Sequence, residues 1–208
     1  MRFATAVCVQ VLLLASHGQA AFTDFSDLTP SDTFQVGDSI QSNGVFFDVA
    51  PFLLTPTSPA LVGGTPGGPT PPPFLSPRDL GLNFQIPPGT GEVSFIYSDG
   101  AGSDLRVNGS EPTFPPNTGR FFSLVDGMTI GGVSISTTVI SQGFGMVGSE
   151  NLLASEQGLL TLSGPISSIF LAGVELAVDD VTILVPEPAT LILTLLGISA
   201  LLSTRRRP

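Results

Sequence analysis

Residues 121–139 read FFSLVDGMTIGGVSISTTV, and this stretch decides the fold class. Phe121 to Val125 and Met128 to Ile130 are apolar runs separated by Asp126-Gly127, a dipeptide suited to a two-residue hairpin turn. Beyond them Val133, Ile135, Thr137 and Val139 recur at period 2, the spacing that puts side chains on one face of a strand. The same grammar extends in both directions. Short apolar runs bounded by Gly, Asn, Asp, Ser and Pro occur at Val45 to Val49, Leu80 to Gln85, Val93 to Ser98, Phe144 to Val147, Leu159 to Ser163, Ile166 to Leu171 and Leu176 to Leu184. No helical stripe is sustained between residues 21 and 185; Ser149 to Gln157 has room for a turn or two of helix, with Ser149 as its cap. The expectation is an all-β chain folded as a single β-sandwich or jelly roll. Its core volume must come largely from phenylalanine, with 15 in the chain and no tryptophan.

Residues 50–77 break the pattern with nine prolines and four glycines, including the run Gly63-Gly64-Thr65-Pro66-Gly67-Gly68-Pro69. Proline has no N–H to give a ladder, so this segment is expected to be a long surface loop between two early strands. No internal repeat is evident.

Composition excludes more than it suggests. The single Cys (Cys8) and single His (His17) lie within the first 20 residues, and the chain has no lysine. Residues 21–185 hold three arginines (Arg78, Arg106 and Arg120) against sixteen carboxylates, a net charge of −13. No disulfide is available, so stability must come from a core alone. A domain of about 165 residues buries close to 70% of its unfolded surface, which is enough. Such an acidic surface repels nucleic acid, which is not expected as a partner.

The two ends differ from the middle. Residues 1–20 place Arg2 before an apolar stretch from Phe3 to Ala15 and end Gly18-Gln19-Ala20, with small residues at −3 and −1. This is the pattern of a secretory signal peptide cleaved between Ala20 and Ala21, which makes the Sec translocon a partner. Residues 186–208 run Pro186-Glu187-Pro188, then the uncharged stretch Ala189 to Leu202, then Arg205, Arg206 and Arg207. A helix over 189–204 is expected. The 14 apolar residues span about 21 Å, short of the ~30 Å hydrocarbon core, so it would cross the membrane only with snorkelling arginines and a thinned bilayer. The arginines place that end on the cytoplasmic side and residues 21–185 outside. The two prolines keep the junction extended and accessible.

Val185-Pro186-Glu187-Pro188-Ala189, the apolar run and the arginine cluster, in that order, resemble the PEP-CTERM sorting signal of bacterial exosortase substrates. The resemblance covers the last 23 residues. It implies transient recognition by an exosortase, cleavage at or near Pro186–Pro188, and loss of the tail. Ile169-Phe170-Leu171, with the segment from Val174 to Val181, also resembles the closing strands of PEP-CTERM ectodomains, which are often lectin-like sandwiches.

Without His, Cys or Lys beyond residue 20, the Ser-His-Asp, Cys-His and Ser-Lys arrangements, His/Cys zinc sites and a P-loop are all excluded from the exported region. Paired carboxylates, as in glycoside hydrolysis, are the one catalytic chemistry left. Calcium is the candidate ion: Asp99 and Asp104 flank Gly100-Ala101-Gly102-Ser103, a loop with free carbonyls. The plain alternative is a turn between strands ending at Ser98 and beginning near Leu105. Asp179-Asp180 interrupts an apolar strand, so one should face solvent while the other finds a donor or the strand bulges. Asn108-Gly109-Ser110 matches a glycosylation sequon and, in this setting, marks a turn. Tyr97, with Phe95 on the same face, reads as a core pair, the alternative being a sugar-stacking platform. The three arginines are expected in surface ion pairs.

The sequence therefore points to an exported, non-enzymatic structural or binding module at the cell surface or in the exopolysaccharide matrix, with no resident cofactor. A lectin-like carbohydrate-binding domain, with or without calcium, and a carboxylate glycoside hydrolase are the alternatives.

Overall fold

The computed structural model describes residues 19–29, 31–52, 60–62, 74–76, 80–100, 103–114, 120–147, 150–173 and 175–186. The predicted helix over 189–204, most of the signal peptide, Glu187, Pro188, Arg78 and Arg205–Arg207 lie outside these residues. No helix among the described residues is long and apolar enough to cross a membrane.

The described chain is built from antiparallel strands in two sheets. In order they are β1 (Gln19–Thr23), β2 (Thr33–Phe34), β3 (Ser39–Ser42), β4 (Val45–Pro51), β5 (Ala60–Val62), β6 (Leu75–Ser76), β7 (Leu80–Phe84), β8 (Glu92–Asp99), β9 (Ser103–Val107), β10 (Thr129–Ile130), β11 (Val133–Val147), β12 (Glu150–Ser163), β13 (Ile169–Gly173) and β14 (Leu176–Val185). The larger sheet runs β10-β11-β12-β8-β14-β6-β5-β2, with β1 also on β14; the smaller runs β3-β4-β7-β13-β9. The sandwich expectation holds at this level: the inner faces of the two sheets share one apolar core.

Period-2 burial along β8 shows why these residues make strands. Val93, Phe95, Tyr97 and Asp99 are buried, while Glu92, Ser94, Ile96 and Ser98 are less so. Phenylalanine fills the space between the sheets, as its abundance requires. Phe47 on β4 meets Phe84 on β7 edge-on at 4.9 Å, and Phe84 meets Phe95 of the opposite sheet at 5.9 Å. Phe25 extends the series at one end and Phe122 at the other, where Tyr97 stands perpendicular to it at 4.7 Å.

Turn chemistry sets the hairpins. Asn43-Gly44, Asn108-Gly109 and Gly131-Gly132 all have both residues at positive φ, the two-residue form whose twist matches paired strands. Gly131-Gly132 joins β10 to β11, with Ile130 opposite Val133. This corrects the expected hairpin at Asp126-Gly127. There Met128 N–H donates to Val125 C=O at 3.1 Å, and Gly127 takes φ +73°, a type II turn. The segment before it, Phe122–Val125, is a 3-10 turn and not a strand. Its apolar side chains are core plugs: Phe122 and Val125 are fully buried, and a ladder would carry one of every two neighbours outward.

Two further expectations are corrected. The Pro/Gly-rich segment 50–77 does join a ladder: β4 continues through Pro51, and β5 and β6 lie between β2 and β14. Its prolines cluster elsewhere, leaving Ala60-Leu61-Val62 and Phe74-Leu75-Ser76 free of proline; Leu75 is fully buried, and Ser76 Oγ donates to Leu176 C=O at 3.0 Å. The proposed helical turn at Ser149 to Gln157 falls largely within β12, where residues from Glu150 pair with β11. Cross-strand partners override a short local preference.

Truncating the centre of the aromatic series should be costly. Phe47→Ala is expected to lower stability by about 3–5 kcal/mol, read from the urea unfolding midpoint, against less than about 1 kcal/mol for Phe46→Ala on the outer face.

Candidate functional site

Among the described residues four carboxylates are buried, Asp99, Asp104, Glu156 and Asp179. Glu156 on β12 is 2% exposed. Its Oε1 accepts from the Tyr97 hydroxyl at 2.5 Å and from Ser123 N–H at 2.9 Å, and its Oε2 accepts from Gln142 Nε2 at 3.0 Å. Gly158 makes this possible: a Cβ there would lie 2.8 Å from the Tyr97 hydroxyl. Burial pushes the Tyr97 phenol up, and its bond to Glu156 adds to the effect, so Tyr97 stays a donor. The Phe95–Tyr97 pair is therefore core, and the alternative of a sugar-stacking platform is corrected, since both rings are fully buried.

Asp99 and Asp104 do not share a loop. Asp99 ends β8, opposite Glu156 in the larger sheet, and Asp104 lies within β9 of the smaller one, opposite Ala172. Asp104 is 3% exposed, and both its oxygens are held: Oδ2 by Arg106 Nη2 at 3.1 Å and Oδ1 by Arg120 Nη1 at 3.3 Å. A cation there would have to displace two guanidinium groups. No group of three or more potential metal ligands occurs among the described residues. Arg106 and Arg120 make the ion pairs expected of them.

Asp179 and Asp180 form a bulge. The β8–β14 register shifts between Asp179 and Thr182, Asp180 takes φ +49°, and its N–H donates to Asp179 Oδ1 at 2.8 Å. The bulge lies where β14 changes outer neighbour, from β6 at Val178 to β1 at Val181. Burial, with smaller contributions from the Asp180 and Asp24 charges, pushes the Asp179 carboxyl up to about 6.

Asn108 carries no free amide for a glycan. Its Nδ2 donates to Gly131 C=O at 2.8 Å and Pro165 C=O at 2.9 Å, and its Oδ1 accepts from Ser167 N–H at 2.8 Å. It ties three turns together.

Among the described residues, a surface suited to a ligand is the outer face of the smaller sheet. Pairing places Ser39, Asp48, Asn83, Phe170 and Arg106 in one row across β3, β4, β7, β13 and β9. A cleft of about 350 Å³ opens over this row, lined by Pro51, Phe52, Asn83, Arg106, Ser168 and Phe170 among others. That volume lies at the lower end of the ~300–1,000 Å³ range for small-molecule sites. Phe170 leans across Gly81, where a Cβ would lie 2.2 Å from Cε2 of the ring, and Arg106 stands over the ring at 5.0 Å. Sequence reasoning passed over Asn83 and Phe170. The available signal was Asn83 itself, the one exposed position of β7 in an otherwise buried run.

The described residues next to the two expected processing sites lie at one end of the larger sheet. Ala20 and Ala21 lie in β1 opposite Leu184 and Ile183, and Gln19 opposite Val185. β14 stops at Val185, and Pro186 packs on Gly91, where a Cβ would lie 2.7 Å from the Pro186 Cγ.

Two measurements probe the buried acids. Tyr97→Phe should cost about 1–3 kcal/mol in urea unfolding, because it strips a donor from a buried carboxylate, while Glu156→Gln, which keeps an acceptor, should cost less. Asp179 keeps its proton to about pH 6 when folded but only to about pH 4 when unfolded, so its favourable contribution is complete below pH 4 and is lost as pH rises through 6. Asp179→Asn is therefore expected to add about 1–3 kcal/mol of stability at pH 8 and much less at pH 4. An equal gain at both pH values would contradict this.

Compared with known proteins, the chain matches no family model, no curated protein and no solved structure.

Proposed function

We propose that this chain is exported through the Sec translocon and delivers a non-enzymatic, jelly-roll-like β-sandwich to the cell surface or extracellular matrix, after an exosortase has removed the tail at Pro186-Glu187-Pro188. One observation carries the reading: the order Pro-Glu-Pro, uncharged apolar run, Arg205-Arg206-Arg207, in a chain whose first 20 residues have the form of a signal peptide. The geometry is compatible with it. β1 and β14 run antiparallel with Gln19 opposite Val185, so both flanking segments leave the domain at the same end. A precursor held at a membrane by either flank presents the same pole to it. The first sorting proline directly follows the last rung of β14, within reach of an enzyme at that surface.

The outer-face cleft favours a second reading within the same class, a carbohydrate-binding module, with calcium as an optional ion. A carboxylate hydrolase is supported less well. No carboxylate is among the described residues that line the cleft, and the two bound to its Arg106, Asp104 and Glu111, are held in ion pairs.

Mass spectrometry of the surface-exposed protein tests the sorting step. The expected mature form begins at Ala21 and ends at or before Pro188. A surface form that keeps Ala189 to Leu202 would overturn it.

A further inference from the structure

Arg106, the charged residue that lines the cleft on the outer face of the smaller sheet, is locked in a chain of ion pairs with Glu111, Asp104 and Arg120. Asp48, in the same row, accepts from Ser39 Oγ and Gln85 Nε2. Arg106 Nε donates to Glu111 Oε1 at 2.8 Å, Arg106 Nη2 to Asp104 Oδ2 at 3.1 Å, and Arg120 Nη1 to Asp104 Oδ1 at 3.3 Å. An anionic ligand would meet no unpaired cation there and would enter against the field of the −13 domain. No group of three or more metal-ligating side chains occurs there among the described residues. Hydrogen-bonding capacity is nevertheless in surplus. A guanidinium has five N–H groups, and Arg106 uses two in these pairs. The exposed Asn83 amide, with two donors and an acceptor, is engaged by no other described residue.

Apolar surface lies beside these groups: Phe170, Phe52 and Pro51 line the same cleft. Unpaired amide and guanidinium donors next to aromatic and proline surface suit a ligand with apolar C–H faces and a rim of hydroxyls. An extended peptide fits less well, because β7 and β13, which carry Asn83 and Phe170, are interior strands paired on both sides, and beside the cleft strand addition could occur only along β9 at the sheet edge.

We propose that this cleft binds a neutral saccharide unit, with Asn83 and Arg106 hydrogen-bonding its hydroxyls and Phe170 packing against its ring. This rests on the binding-module reading above and assigns it a place and a ligand class: uncharged hexose units of a matrix polysaccharide rather than uronate chains.

The test is an NMR titration of the full chain, following backbone amides, with neutral trisaccharides (glucan, mannan and galactan) and with trigalacturonate. Expected is a saturable shift at Asn83, Gly109 and Phe170 with at least one neutral sugar, unchanged by a chelator and absent with trigalacturonate. Asn83→Ala should weaken that binding at least tenfold. Gln85→Ala, just beyond the end of β7 and outside the cleft, should leave it unchanged, which separates lost contact from lost fold. Binding of trigalacturonate at these amides as tight as that of any neutral sugar would overturn the proposal. A neutral sugar that binds and shifts only amides elsewhere would also overturn it, while leaving the carbohydrate-binding reading intact. Absence of binding by every sugar would overturn both, and neither result bears on the sorting step.

Discussion

Phe84 and Phe95 come from different sheets and meet with their rings 5.9 Å apart. The rest of the fold depends on that contact and its neighbours. Residues 21–185 have no cysteine to cross-link them and no histidine to join cysteine in a zinc site, so apolar burial must offset chain entropy unaided. Phenylalanine does this in series from Phe25 through Phe47, Phe84 and Phe95 to Phe122. Each ring packs on the next at an angle, which favours the edge of one ring against the face of another. The series crosses from one sheet to the other and fixes how they stack.

Charge is the opposing constraint. Sixteen carboxylates against three arginines repel one another, and burial of any of them costs more than burial of a neutral group. The fold meets this locally. Glu156 takes three hydrogen bonds, Asp104 takes two guanidiniums, and Asp179 retains its proton toward pH 6. Two of the three arginines are spent on one buried aspartate. The guanidinium that lines the cleft is thereby already committed, since Arg106 pairs with both Asp104 and Glu111.

The larger sheet has register shifts between β11 and β12 and between β8 and β14. β14 pairs with β8 on both sides of its bulge, and its other side is shared between β6 and β1. The Asp179-Asp180 bulge sits at that handover, where one neighbour ends and the next begins. A bulge there redirects the strand and leaves the following five residues to zip against β1, which fixes where both flanks of the domain emerge.

Strand identity was legible because it is local. Period-2 alternation in Val133 to Val139 and the dipeptide Asn108-Gly109 act over a few residues, so most longer strands, that turn and the all-β class could be read directly, whereas Asp126-Gly127 is a turn but not the expected hairpin. The resemblance of residues 186–208 to a sorting signal is likewise a linear order of residues and owes nothing to folding. What only the tertiary structure decided is non-local. Phe121 to Val125 looks like a strand until Tyr97 and Phe95 claim Phe122 as a core plug. Ala60-Leu61-Val62 looks like part of a loop until β6 pairs with it, and Glu156 looks like a surface acid until Tyr97, 59 residues away, reaches it. The cleft is the extreme case. Asn83, Arg106 and Phe170 come from three strands, and their proximity depends on strand order and register, which local periodicity does not encode.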